Sequence, residues 1–344
     1  MRSFSPLGFR MTSRRKFEEI PGWSNSMQEK ILEALKKTEG HLSGEELSEN
    51  LKVSRAAIWK YIQELRSLGY DITAVPHLGY KINGCPDKLF PAEIQSNLNT
   101  KILGKKIIHH DSISSTMDEA FKLGSEGTTE GTVVVSETQT KGRGRLGRNW
   151  VSPKGKGIYC SLILRPNLSP NEVACLTLLC AVAVSEAIKE ICGVMAYIKW
   201  PNDLLINYKK VAGILTELNA ETDRVKFVVI GIGLNVNTLK SHLPEGSTSL
   251  YLAAHRRISR VELLQEILRC IEKRYLELKT KGFDSTIEKW KELSFTLNKI
   301  VRVVDASGTT EGEAIGVDSD GGLLIRKNSG IVVKKMAGDV VQVR

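Results

Sequence analysis

The 344 residues predict an α+β protein in three folded parts: a winged helix-turn-helix over 27–84, a central mixed β-sheet with packed helices over 85–297, and a small β-barrel over 298–344. Three observations carry that prediction. Close to the start, helix signals with capping residues run into a hairpin signal. In the middle, short apolar runs of strand length alternate with stretches of helical period. At the end, short apolar runs are separated by clusters of Gly, Asp, Ser and Asn.

Composition sets the bounds. At 41% hydrophobic residues, packed cores are affordable, and the net charge of +10 points to an anionic partner. No apolar run approaches the roughly 20 residues that a membrane span needs, so no membrane is expected. Six cysteines contain no C-x-x-C pair, and Cys160, Cys175 and Cys180 lie in apolar surroundings. They read as reduced thiols of a cytoplasmic protein, with neither zinc nor disulfides.

Residues 1–26 are basic (Arg2, Arg10, Arg14, Arg15, Lys16), show no sustained period and lack the apolar core of a secretory signal. They read as a disordered tail, with Met11 and Met27 as alternative starts. From Met27, residues Ile31, Leu32 and Leu35 predict a short helix that stops near Gly40. Ser43-Gly44-Glu45-Glu46 predicts a capping box. Ser54 caps a third helix, whose apolar face is Ile58, Tyr61, Ile62, Leu65 and Leu68, with Gly69 as its stop. Arg55, Lys60, Gln63 and Arg66 lie on the other face and are the candidate DNA contacts. Tyr70 to Ile82 alternates and turns near Pro76 and Gly79, as a hairpin does. In that order of elements the third helix enters the major groove.

Pro86 and Pro91 mark a linker. Asp111 to Met117 is a hydroxyl-rich turn before a helix expected near Asp118, where Thr116 can cap the helix and still touch a ligand. Strands are predicted at Val133–Val135, Ile158–Leu164, up to Lys199, at Val211–Leu218 and at Val225–Ile230. Amphipathic helices are predicted at Val173–Ile191, at Val261–Lys281 and around Trp290. Gly231 and Gly233 mark the close approach of a ligand or another backbone. His109 and His110 have no partners at metal-ligand spacing and read as structural. No metal site built by the protein is expected.

One stretch concentrates the chemistry: Gly142-Arg143-Gly144-Arg145-Leu146-Gly147-Arg148-Asn149-Trp150. Glycine lets the backbone approach a ligand closely, and arginine brings a permanent, forked cation. Such a loop can close over an anion, or it can grip single-stranded nucleic acid as RGG segments do. Further on, Lys199-Trp200-Pro201-Asn202-Asp203 ends a strand in a polar turn.

The Ser115-Thr116 turn, Gln139 before the Gly/Arg loop, Lys199-Trp200-Pro201-Asn202-Asp203 and Gly231-x-Gly-x-Asn235 occur together in bacterial biotin–protein ligases. The chain from Met27 onward resembles that family, in the bifunctional form that also represses the biotin operon. Met117 stands where the family often has asparagine. The resemblance implies a class II synthetase-like catalytic domain and an SH3-like C-terminal domain. It implies that biotin and ATP form biotinyl-adenylate, and that biotin then passes to a lysine of the biotin carboxyl carrier protein of acetyl-CoA carboxylase. On that basis Lys199 and Arg145 would be catalytic. Ser115, Thr116, Gln139, Arg143, Gly144, Arg145 and Lys199 would bind biotin. Gly142, Arg148, Trp150, Asn202, Gly213, Gly231, Gly233 and Asn235 would hold the adenylate, with Gly231 and Gly233 leaving room for it. Mg²⁺ would come bound through phosphates, and a homodimer would bind an inverted-repeat operator. Two alternatives stay open: a biotin-sensing repressor without catalysis, and a ligase for lipoate or another acyl group on the same fold.

Overall fold

The computed structural model describes residues 26–221 and 223–342, so the tail expected over 1–26 lies outside it but for Ser26. The chain separates into two compact units, 1–83 and 84–344.

The first unit holds α1 (Met27–Lys37), α2 (Gly44–Leu51), α3 (Arg55–Ser67) and a hairpin of β1 (Asp71–Val75) and β2 (Gly79–Gly84). A serine starts each helix: Ser26, Ser43 and Ser54 accept the backbone N–H of Glu29, Glu46 and Ala57. The helices bury Ile31, Leu32, Leu35, Leu47, Ile58, Ile62 and Leu65 in one core. The hairpin is pinned where Leu42 and Tyr80 exchange backbone bonds of 2.8 and 2.9 Å. A Cβ at Gly79, where φ is +108°, would lie 2.2 Å from the Leu42 carbonyl oxygen, so only glycine fits there.

The second unit opens with α4 (Pro91–Gln95), β3 (Ile107–His110), α5 (Thr116–Ser125), β4 (Val133–Ser136), β5 (Gly157–Leu164) and α6 (Val173–Cys192). It continues through β6 (Tyr197–Lys199), β7 (Asp203–Ile206), β8 (Lys209–Ala220), β9 (Val225–Asn235), α7 (Leu250–Ala254), α8 (Arg260–Lys281) and α9 (Asp284–Leu293). The strands form a seven-stranded sheet in the order β3-β4-β5-β9-β8-β7-β6. Only β3 and β4 run parallel, so the sheet is mixed. Strands β3 and β7 were not foreseen from sequence.

Helix α6, expected to be amphipathic, is buried on nearly every side. It lies between one face of the sheet and the helices α8 and α9, and a helix clad on all sides must be apolar on all sides. The other face carries α5, which buries Met117 and Ala120 against Val134, Ile163, Phe227 and Val229.

The chain ends in an antiparallel five-stranded sheet: β10 (Ile300–Asp305), β11 (Gly308–Val317), β12 (Leu323–Arg326), β13 (Val332–Lys335) and β14 (Asp339–Gln342), in the order β13-β12-β11-β10-β14. Its apolar residues Val301, Val303, Leu323 and Ile325 join the core around α6. Trp200 Nε1 donates to the Gly321 carbonyl at 3.0 Å, which ties the turn after β6 to this sheet.

Candidate active site

The site forms where the sheet lacks side chains. On β9 the residues Val228, Ile230, Ile232 and Leu234 point into the α6 core. Period-two alternation therefore turns Gly231 and Gly233 to the α5 face. Across the register Gly213 pairs with Gly233, and Gly231 pairs with Leu215. The result is a bare floor beneath a cavity of about 230 Å³.

The glycines were expected to leave room for a ligand. In the structure they make room for two side chains: a Cβ at Gly233 would lie 2.5 Å from the Trp150 ring, and one at Gly231 would lie 2.5 Å from Met117 Sδ. Those side chains lie over the floor, and they line the cavity with it.

One end of the cavity is a line of hydrogen bonds. Ser161 donates to Thr116 Oγ1 at 2.9 Å, Thr116 Oγ1 and N–H donate to Gln139 Oε1 at 3.1 and 2.9 Å, and Gln139 Nε2 donates to Ser152 at 3.1 Å. Helix α5 begins at Thr116 rather than Asp118, so Ser115 takes the cap position expected of Thr116. The Ser115 hydroxyl is fully buried, with no hydrogen-bond partner among the described residues.

The Gly/Arg loop folds over the opening. The Gly144 N–H donates to the Arg148 carbonyl at 2.7 Å, and the Trp150 N–H to the Gly142 carbonyl at 2.9 Å. Leu146, with φ +54°, sits exposed at its tip. A Cβ at Gly142 would fall 2.5 Å from the Trp150 carbonyl oxygen, so the loop needs glycine there.

Its cations are held by the protein's own acceptors. Arg143 Nη2 lies 2.8 Å from Asp118 and 3.0 Å from Glu217. Arg145 donates to Asn202 Oδ1 at 3.1 Å and to the Gly338 carbonyl at 3.4 Å. Burial works against the Arg145 charge, and the nearby carboxylates of Asp339 and Asp203 favour it. Arg148 pairs with Asp339. Asn202 in turn donates to the Ile214 carbonyl at 2.8 Å. Asn235 lines the cavity and donates to the Thr248 carbonyl at 3.1 Å, and so holds the 244–248 loop, whose Pro244 and Ser247 line the cavity too.

Lys199 lies beside the main cavity, in a depression that shares Asp203, Lys210 and Ser247 with it. It lies on β6, the edge strand, separated from β9 by β7 and β8. There it lines that depression with Tyr208, Glu245 and Phe295. The lysine that lines the main cavity is Lys210 on β8. Its Nζ lies 2.6 Å from Asp203 Oδ1 and 5.5 Å from the centre of the Trp150 ring. Sequence reading passed over Lys210, yet it stands three residues before Gly213, in the strand that supplies the floor. Asp339 was also missed, and it comes from the C-terminal sheet.

Beneath the site is a buried ion network. Arg260 Nη1 donates to Glu137 Oε2 at 2.8 Å, the Arg260 N–H donates to Asp87 Oδ1 at 2.9 Å, and the Leu89 N–H donates to Glu137 Oε1 at 2.8 Å. His109, expected to be structural, lies 3.6 Å from Glu137. Burial alone would raise the Glu137 pKa, but His109, Arg260 and the Leu89 N–H overcome it and hold it at about 2.

On α3 the four expected DNA contacts separate. Arg55 and Lys60 are exposed and Gln63 is half-buried. Arg66 donates through Nε to the Ile72 carbonyl at 2.8 Å and ties the helix to the hairpin.

Comparison with known proteins adds three family matches: residues 27–81 to an HTH domain, 110–235 to the biotin/lipoate A/B protein ligase family, and 296–341 to the biotin protein ligase C-terminal domain. The bifunctional ligase/repressor BirA of Bacillus subtilis (strain 168) is 44% identical over 294 residues, covering 84% of this chain and 90% of that protein. That of Escherichia coli (strain K12) is 30% identical over 319 residues, covering 92% and 97%. The biotin protein ligase of Aquifex aeolicus, solved in complex with biotin and ATP, superposes with a TM-score of 0.60 at 32% identity, covering 70% of this chain and 99% of that one.

Proposed function

This chain belongs to the bifunctional ligase/repressor branch of the biotin–protein ligases, and from that membership we propose how its own residues divide the work. The protein is an ATP-dependent biotin–protein ligase and a DNA-binding repressor of the biotin operon. One observation carries the assignment of its site: Arg143, Arg145, Arg148 and Lys210 all line one cavity with a glycine floor.

Adenylation brings the biotin carboxylate onto the α-phosphate of ATP, forming a C–O–P anhydride and expelling pyrophosphate. Both reactants are anionic. Preorganised cations in a cavity closed to water oppose that repulsion better than solvent does. Lys210 takes the role first expected of Lys199, neutralising carboxylate and α-phosphate together. Arg143 and Arg145 close over biotin and its adenylate, Arg143 exchanging the carboxylates of Asp118 and Glu217 for the ligand's own oxygens, and Arg148 braces the loop. Ser115, Thr116 and Gln139 orient the biotin ring, and the buried Ser115 hydroxyl supplies an open hydrogen-bonding group. Trp150 packs on adenine above Gly213 and Gly233. Asn202 and Asn235 position the walls, one through Arg145 and the other through the 244–248 loop.

No group of three His, Cys, Asp or Glu among the described residues is placed to hold a metal. Mg²⁺ would come bound through the ATP phosphates, where it would supply charge neutralisation. The acceptor is a lysine of the biotin carboxyl carrier protein, whose amine attacks the anhydride carbonyl and releases AMP. For repression, the first unit binds an inverted-repeat operator as a homodimer promoted by the adenylate. The C-terminal sheet reads as an SH3-like barrel, and the central part as the class II synthetase-like fold of the family.

Mass spectrometry of a carrier domain after incubation with the protein, ATP, Mg²⁺ and either biotin or lipoate tests the reading. Addition of one biotin to one lysine is expected. Transfer of lipoate in preference to biotin would select the acyl-ligase alternative, and transfer of neither would select the non-catalytic repressor.

A further inference from the structure

The outward stripe of α3 is Arg55, Ala56, Trp59, Lys60 and Gln63, at spacings of one, four, five and eight from its first member. The inward stripe of Ile58, Ile62 and Leu65 is fully buried. Trp59 therefore takes no part in the core, and it stands 58% exposed. A tryptophan can bury some 150–250 Å² when covered, and this one stands in water between two cations of the same stripe. The neighbours name the chemistry of a partner. Arg55 and Lys60 flank Trp59 on the stripe, the stripe carries no acid, and Ser54 caps the helix start by accepting the Ala57 N–H. This is charge complementarity to a polyanion, on the helix that a helix-turn-helix inserts into the major groove.

Within that groove tryptophan has one way to read sequence. Its single N–H donor cannot make the bidentate pairs that distinguish guanine or adenine, but its ring can cover an apolar group. Thymine alone presents one there, the C5-methyl. We propose that Trp59 is a specificity-determining residue of the repressor, covering a thymine methyl in each operator half-site. The proposal rests on the operator-binding reading given above.

The test uses the full chain with biotin, ATP and Mg²⁺. Wild-type protein selects its preferred sequence from a random duplex library, and each thymine of the enriched half-site is then replaced by deoxyuridine. Loss of one buried methyl, about 0.8 kcal/mol, should weaken wild-type binding about fourfold at one position. Trp59→Ala should bind the enriched site about tenfold more weakly and be indifferent to that methyl, while retaining ligase activity as its check of folding. Lys60→Ala should keep the fourfold methyl effect but show a shallower salt dependence, as expected when a phosphate contact is lost. Equal deoxyuridine effects in wild type and Trp59→Ala would overturn the proposal, as would an enriched site with no sensitive thymine. Failure of wild type to enrich any sequence, with ligation intact, would instead bring down the operator reading on which it stands.

Discussion

Lys199 and Lys210 show how far a residue's chemistry depends on which strand carries it. The two lysines are 11 positions apart and both lie near Asp203, but only Lys210 lines the glycine-floored cavity. Lys210→Ala should therefore lower the rate of biotin-dependent ATP–pyrophosphate exchange by about 10²–10³, the scale of losing one preorganised charge-stabilising group. Lys199→Ala should change it less than about threefold, and the reverse ranking would return the role to Lys199. Arg145 acts later. Its contacts with Asn202 and Gly338 hold the loop shut, and a charge-assisted bond of this kind contributes roughly 1.5–3 kcal/mol. Arg145→Gly should still make biotinyl-adenylate but release it about ten- to a hundredfold faster. The free anhydride would then label serum albumin as well as the carrier, visible on a biotin blot. If the loop were an RGG-type nucleic-acid contact, the blot would match wild type.

The elements around the site are joined by the ion network of α8, the segment after β4 and the linker before α4. Arg260 is 1% and Glu137 2% exposed, so neither charge is screened by water. Breaking such a buried pair leaves one ion uncompensated, at roughly 3–5 kcal/mol. Glu137→Gln should destabilise the protein by about that much at pH 7, read from urea unfolding. Because the Glu137 pKa is held down to about 2 from an ordinary 4.5, its ionisation stabilises the fold fully above pH 4.5. That contribution is lost as pH falls from 4.5 toward 2. The gap between wild type and Glu137→Gln should narrow over that window. A gap that stayed constant would mean that Glu137 matters through shape rather than charge. Glu137 stands two residues before Gln139, so the same substitution should also loosen the Thr116–Gln139 contacts.

For the whole molecule, the proposed link between ligase and repressor makes a reciprocal demand. If biotinyl-adenylate tightens operator binding by some factor, the operator must tighten adenylate binding by the same factor, because both routes reach one final state. A coupling of about 1–3 kcal/mol corresponds to roughly 5–150-fold. Fluorescence titration of labelled operator with and without biotin and ATP gives one leg, and adenylate binding with and without operator gives the other. Ligand-independent operator affinity would reject the switch while leaving catalysis untouched. The C-terminal sheet takes part in the same closure, since Asp339 of β14 meets Arg148 of the loop.

What was legible in the sequence was what local interactions decide. Serine caps, the period of α1 to α3, the apolar strands and the run of glycines and arginines all depend on neighbours within a few residues, and they identify the elements, the Gly/Arg loop and the family. The tertiary structure decided what depends on strand order. Nothing local in Tyr197–Lys199 says that β6 is an edge, or that β8 lies against β9, yet that order puts Lys210 on the main cavity's wall and Lys199 in the depression beside it. The glycines of β9 announced close approach, but only the folded sheet shows Trp150 and Met117 as what approaches. Asp339 reaches the cavity from more than 100 residues away, and Trp59 became informative only when its neighbours were seen to bury and it was not. The physical reason is the same in each case. Propensity and capping are short-ranged, whereas pairing and burial join segments that the chain itself keeps far apart.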